Sequence, residues 1–106
     1  MDANGRCSEQ RATAPRRIQV RRVKGWRLPA DTVYVGRPTR FGNPFRVPEY
    51  GRDGAIHRFD EWLRQPERAE LLATARAELR GKNLACWCPL DEPCHADVLL
   101  YLVNAA

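Results

Sequence analysis

Asn83-Leu84-Ala85-Cys86-Trp87-Cys88 is an apolar run too short for a helix, entered just after Gly81 and left at Pro89. A strand that is apolar on both faces has to be covered on both faces, which places it in the middle of a sheet, flanked by helices. Its neighbours agree. Glu67 to Arg80 reads as a helix with Leu71, Leu72, Ala75 and Leu79 on one face, closed by Gly81. Arg76 and Arg80 suit the negative end of that helix. Val98, Leu99, Leu102 and Val103 define a last helix over roughly 92–104, with Asp91 as its N-cap and Glu92 and Pro93 in its first turn. Helix, strand, loop and helix in that order predict an α/β domain.

The rest of the chain fits the same scheme. Ile18, Val20 and Val23 predict a strand over 17–23 with arginines on its wet face, and Thr32 to Gly36 predict a second strand. Arg37 to Phe45 contains Pro38, Gly42, Asn43 and Pro44, which exclude regular structure. Residues 46–53 are expected to be extended or in turns. Ile56, Phe59, Trp62 and Leu63 set a helix over 54–64, which Gln65-Pro66 ends. The expected architecture is one domain over 17–106, with a short, mostly parallel sheet and about three helices. His57 reads as an ordinary surface or partly buried histidine.

Charge is distributed unevenly. Seven of the 18 basic residues (Arg6, Arg11, Arg16, Arg17, Arg21, Arg22, Lys24) precede residue 25, against only Asp2 and Glu9 of the 13 acidic ones; the remaining eleven of each sign cancel. Residues 1–16 are polar and aperiodic and read as a disordered basic tail containing Cys7. The basic residues between 6 and 24 offer an electrostatic contact for nucleic acid, or serve only as a solubilising leader. No apolar run approaches the roughly 20 residues needed to cross a bilayer. The arginine-rich start lacks the apolar segment of a secretory signal. The expected location is the cytoplasm, where thiols stay reduced, so clustered cysteines point to metal or reactivity before disulfides.

Three thiols and an imidazole crowd the loop after the central strand: Cys86, Cys88, Cys94 and His95. Loops at the carboxyl ends of strands are where α/β domains place ligands. Three readings stay open. Cys86, Cys88, Cys94 and His95 hold zinc, a legitimate ligand set whose C-x-C and adjacent C-H spacings are unusual for a knuckle. Alternatively, Cys94, in the first turn of a helix, is a reactive thiol, with His95 and Asp97 completing a catalytic corner. Or the cysteines are small buried hydrophobes and His95 a satisfied structural histidine.

The 36–45 loop is the second candidate. Arg37 and Arg40 supply planar donor forks suited to phosphate, Gly36 and Gly42 allow close backbone approach, and Asn43 offers a donor and an acceptor to a base or sugar. No phosphate-loop or dinucleotide fingerprint is present. The bland alternative is a rigid loop in which Phe41 and Phe45 plug the core. Both loops follow predicted strands, so they are expected to converge on one pocket.

Gly25-Trp26-Arg27-Leu28-Pro29, then Tyr34 to Pro38 and Phe41 to Phe45, then Leu84 to Cys88, then Cys94-His95-Ala96-Asp97-Val98-Leu99 appear in order over roughly 18–104. In this the chain resembles the domain-of-unknown-function family numbered 4326, found in phages and bacteria. Its ending is also similar to an uncharacterised α/β family numbered 488. The resemblance implies a Rossmann-like α/β fold and no established activity. Arg37, Asn43, Cys86, Cys88, Cys94, His95 and Asp97 carry over as motif positions only. The expected function is binding, with or without processing, of a nucleotide-like or phosphorylated ligand between the 36–45 and 86–95 loops. The alternatives are a zinc-stabilised nucleic-acid-binding module and a small phage-type interaction factor.

Overall fold

Leu84 and Ala85 are fully buried and Cys86 nearly so, as a strand apolar on both faces requires. In the computed structural model, which describes residues 14–105, this strand is β3 (Asn83–Cys86), the middle of a three-stranded sheet. It pairs in parallel with β1 (Arg17–Gln19) on one side and β2 (Thr32–Tyr34) on the other. Ile18 lies opposite Ala85 and Val33 opposite Leu84. The edge strands are shorter than their sequence suggests. Beyond them only single bonds continue the ladder: Val20 N–H to the Cys86 carbonyl (2.8 Å) and Val35 N–H to the Ala85 carbonyl (2.9 Å). The pairing begins at Arg16, whose carbonyl accepts from Leu84 N–H at 3.0 Å. Residues 1–13, including Cys7 and most of the expected basic tail, lie outside the described residues.

The described residues form four α-helices, one more than expected, and the last of them packs directly on the sheet. The additional helix, α1 (Val47–Tyr50), is a single turn within the stretch read as extended or turn. Pro48 near its start presets a helical φ, and Gly51 at φ 76° ends it. One turn contains no full period of apolar spacing, so periodicity could not mark it. Helix α2 (Arg52–Leu63) buries Ala55, Phe59 and Leu63 at four-residue intervals. Gln65, extended before Pro66, stops it. A 3₁₀ turn (Pro66–Arg68) leads into α3 (Ala69–Leu79), which buries Ala75 and Leu79. Gly81, at φ 79°, reverses the chain into β3.

Helix α4 (His95–Asn104) begins three residues later than expected, and its N-cap is Cys94, not Asp91. Asp97 fixes that start by accepting the Cys94 N–H at 3.0 Å, half of a capping box. The far end of α4 is closed by another helix. Arg76 Nε donates to the Leu102 carbonyl at 3.2 Å, Arg80 Nε to Val103 at 2.6 Å, and Arg80 Nη2 to Ala105 at 3.1 Å. These arginines sit near the end of their own helix, as expected, but their donors satisfy the orphaned carbonyls of α4. Val35, Phe59, Leu63, Leu79, Leu84, Leu99 and Val103 interlock as the core between the sheet and the helices. No helix among the described residues is long and apolar enough to cross a membrane.

Candidate functional site

Strand β3 stops at Cys86 and helix α4 starts at His95, so residues 87–94 must turn from the sheet end to the helix start. Arg17 holds that turn. From β1 its Nη2 donates to the carbonyls of Pro89 (2.9 Å), Leu90 (3.1 Å) and Glu92 (2.5 Å), while Nη1 lies 3.4 Å from Asp97. The Arg17 side chain is only 8% exposed, so it does not lie on a wet strand face as its position in the sequence suggests.

The pinned turn gathers the three cysteines. Their sulfurs lie within 4.8 Å of one another, and Cys86 Sγ and Cys94 Sγ are 3.1 Å apart. Cys88 follows Cys86 by two residues, in the bend beyond the strand end, and its sulfur joins the same cluster. Arg52, at the start of α2, completes the enclosure. Its Nη1 donates to Cys88 Sγ (3.7 Å) and to the Pro93 carbonyl (3.3 Å), and its Nη2 pairs with Glu92 at 3.0 Å.

The thiols differ in proton affinity. Cys94 is held well below the ordinary thiol range, first by the hydrogen bond from the Cys86 thiol, then by His95 and the Ala96 N–H, against the effect of burial. The same bond, together with burial, pushes Cys86 up. Burial raises Cys88, with the Arg52 guanidinium pulling it back. Contact with Cys88 raises Arg52 in turn.

His95 is buried edge-on to Phe59, with ring centroids 5.2 Å apart and planes at 90°. Its Nε2–H donates to the Val35 carbonyl at 2.9 Å, which leaves Nδ1 facing Cys94 Sγ at 3.5 Å. Asp97 does not serve His95; its carboxylate caps Cys94 and pairs with Arg17. A Cys94–His95–Asp97 relay is therefore not assembled. His95 also stays out of the cluster of mutually close ligand atoms, which consists of the three sulfurs.

The 36–45 loop is shaped by its own polar groups. Tyr34 OH donates to the Arg37 carbonyl at 3.0 Å, and its ring lies over Gly36 so closely that a Cβ there would come within 2.6 Å of Cζ. Thr39 Oγ1 donates to the Gly36 carbonyl at 2.6 Å. A Cβ on Gly42 would meet Arg37 Cγ at 2.9 Å, so Gly42 makes room for the Arg37 stem. Asn43 ties the loop to α2: Nδ2 donates to the Ala55 carbonyl (3.1 Å) and Oδ1 accepts from Phe45 N–H (2.9 Å).

Residues from both loops line one cleft of about 300 Å³. Gly36, Arg37 and Asn43 from one loop and Cys86, Cys88, Cys94 and His95 from the other are among its lining residues. Arg40, Gly42 and Asp97 are not among its walls. Arg40 points to Glu78 on α3 and lies over Phe41. His57 is exposed and pairs with Glu61 at 3.4 Å. The cleft adds residues that sequence reasoning passed over: Tyr34, Phe45, Arg52, Ile56 and Trp87. Trp87 is 45% exposed, with Arg22 over its ring at 5.0 Å, so it belongs to the rim and not to the core.

A family model described as Domain of unknown function (DUF4326) matches residues 18–105, and the chain belongs to that family. No curated protein and no solved structure matches the chain.

Proposed function

We propose that this member of the DUF4326 family binds a small phosphorylated or nucleotide-like ligand in the cleft between the 36–45 and 86–95 loops. One observation carries the reading: the Arg37 side chain lines the cleft and makes no hydrogen bond or ion pair among the described residues. The other arginines near the cleft are engaged, Arg17 by the loop carbonyls and Arg52 by Glu92 and Pro93. An exposed guanidinium on a concave wall, without a partner among the described residues, is a ready contact for a phosphate or carboxylate. Tyr34, Phe45 and Trp87 supply aromatic surface beside it, on which a base or other flat group can stack.

The placement agrees with a Rossmann-like arrangement, in which ligands sit beyond the carboxyl ends of parallel strands. A volume of about 300 Å³ lies at the lower end of small-molecule sites and suits a mononucleotide-sized compound better than a dinucleotide. Asn43 is assigned to shaping the loop, because both ends of its amide are already bonded. The reading places the protein in a reducing compartment such as the cytoplasm, where its thiols persist.

The test is calorimetric titration of the full chain with inorganic phosphate, a sugar phosphate and the nucleoside monophosphates. At least one phosphorylated compound should bind, and Arg37→Ala should weaken that binding by tenfold or more while leaving the unfolding midpoint nearly unchanged. Failure of every phosphorylated compound to bind, or equal binding by Arg37→Ala, would refute the assignment.

A further inference from the structure

We propose that Cys86, Cys88 and Cys94 form a three-thiolate site for zinc, with the fourth coordination position open to the cleft. The site goes beyond ligand binding by Arg37 and does not depend on it.

The argument starts with the donors. Three sulfurs from the end of β3, the following turn and the N-cap of α4 lie within 4.8 Å of one another. In a tetrahedral site with Zn–S bonds of about 2.3 Å, sulfurs stand about 3.8 Å apart. The 3.1 Å between Cys86 and Cys94 and the 4.8 Å limit that holds all three sulfurs lie within about 1 Å of that value on either side. Soft thiolates select zinc over the hard cations.

The geometry also removes the objection that the spacing raises. A Cys-His pair of adjacent residues cannot readily chelate together, and here it need not. Cys94 turns toward the other sulfurs, and His95 turns its Nε2 to Val35. The C-x-C pair works because the chain bends after the end of β3 and brings Cys88 Sγ within 4.8 Å of the other two sulfurs.

Two further features fit a metal better than plain packing. Cys88 is only half-buried and faces the cleft, so core filling does not account for it. Arg52 directs a donor at its sulfur. Three thiolates and a dication leave one net negative charge, and Arg52 stands beside it. All three cysteines line the cleft, so a water or a ligand atom can occupy the remaining position. That is the open arrangement of reactive zinc sites, as opposed to the closed one of structural knuckles.

Titrating the reduced, metal-free full chain with cobalt(II) tests the site. The expected result is about one cobalt per chain, with thiolate-to-cobalt charge-transfer absorption and tetrahedral visible bands that zinc abolishes. Cys86 and Cys94 are core residues, so Cys88→Ser is the decisive variant, its fold confirmed by circular dichroism. It should weaken binding by tenfold or more, because the loss of even an outer-shell partner costs that much. Cys7→Ser should bind as the parent does. Absence of the charge-transfer band, unchanged binding by Cys88→Ser, or an intact mass showing a Cys86–Cys94 disulfide in freshly purified protein would overturn the proposal. Phosphate binding by the metal-free chain is measured separately, so either assignment can fail alone.

Discussion

Arg17→Ala should destabilise the domain by about 2–3 kcal/mol, and the magnitude follows from what the guanidinium holds. Its Nη2 serves three carbonyls of the 89–92 turn, at 2.9, 3.1 and 2.5 Å. Pro89, Leu90 and Glu92 are exposed, so water replaces the lost donor. Each bond then counts at its net value of about 0.5–1.5 kcal/mol and not at its full desolvation cost. The Asp97 contact at 3.4 Å adds little, because that carboxylate is half exposed. The buried stem adds lost packing. Urea unfolding measures the loss, and amide exchange locates it: the 88–93 amides should exchange faster while those of β3 keep their protection relative to global stability. Arg17→Lys should recover less than half, since the shorter side chain carries no second nitrogen for Asp97 and its ammonium falls short of the position Nη2 occupies among the three carbonyls. A loss below about 0.5 kcal/mol with unchanged loop exchange would refute the clamp, since that is the range of an ordinary surface truncation.

Two further substitutions probe other parts of the same argument. Trp87→Ala should cost less than about 1.5 kcal/mol in urea unfolding, well short of the 3–5 kcal/mol of a core tryptophan, while weakening ligand binding measured by calorimetry, because the ring stands on the cleft rim. Arg80→Ala should cost about 1–2 kcal/mol and speed amide exchange over the last turn of α4, because the Val103 and Ala105 carbonyls lose their partner.

Wherever packing decides, the sequence was informative. The two-sided apolar run from Asn83 to Cys88 announced a central strand, and the spacing of Ile56, Phe59, Trp62 and Leu63 announced α2. What escaped depends on long-range polar geometry. Arg17 and Arg52 stand 35 residues apart and bind a turn that neither adjoins in sequence, so no local pattern marks them. Asn43 and Asp97 look like ligand-binding groups by type, yet their hydrogen bonds are used within the fold, by Ala55 and Phe45 and by Cys94. Arg40 has the right chemistry in the right loop but points the other way, to Glu78. Residue type proposes a site, and only the tally of satisfied donors and acceptors separates framework from contact.

The same tally locates the point where this chain departs from the simplest way of building its core. A three-stranded sheet of three- and four-residue strands has little interior to spare, and apolar side chains at positions 86 and 94 would fill it without polar cost. Instead the chain buries two thiols in contact and an imidazole beside them, then brings a third thiol and an arginine to the same corner. Nearly every other polar choice near the cleft serves the fold: Arg17 pins the turn, Asp97 caps α4, and Tyr34 and Asn43 shape the opposite loop. Sequences break the rule of mutually consistent local choices at functional sites. Here the break is confined to one cleft, whose lining also includes Arg37. Packing alone accounts for the buried thiols of Cys86 and Cys94 but not for the half-buried Cys88 with the Arg52 donor on its sulfur, and the proposed zinc site accounts for all three together.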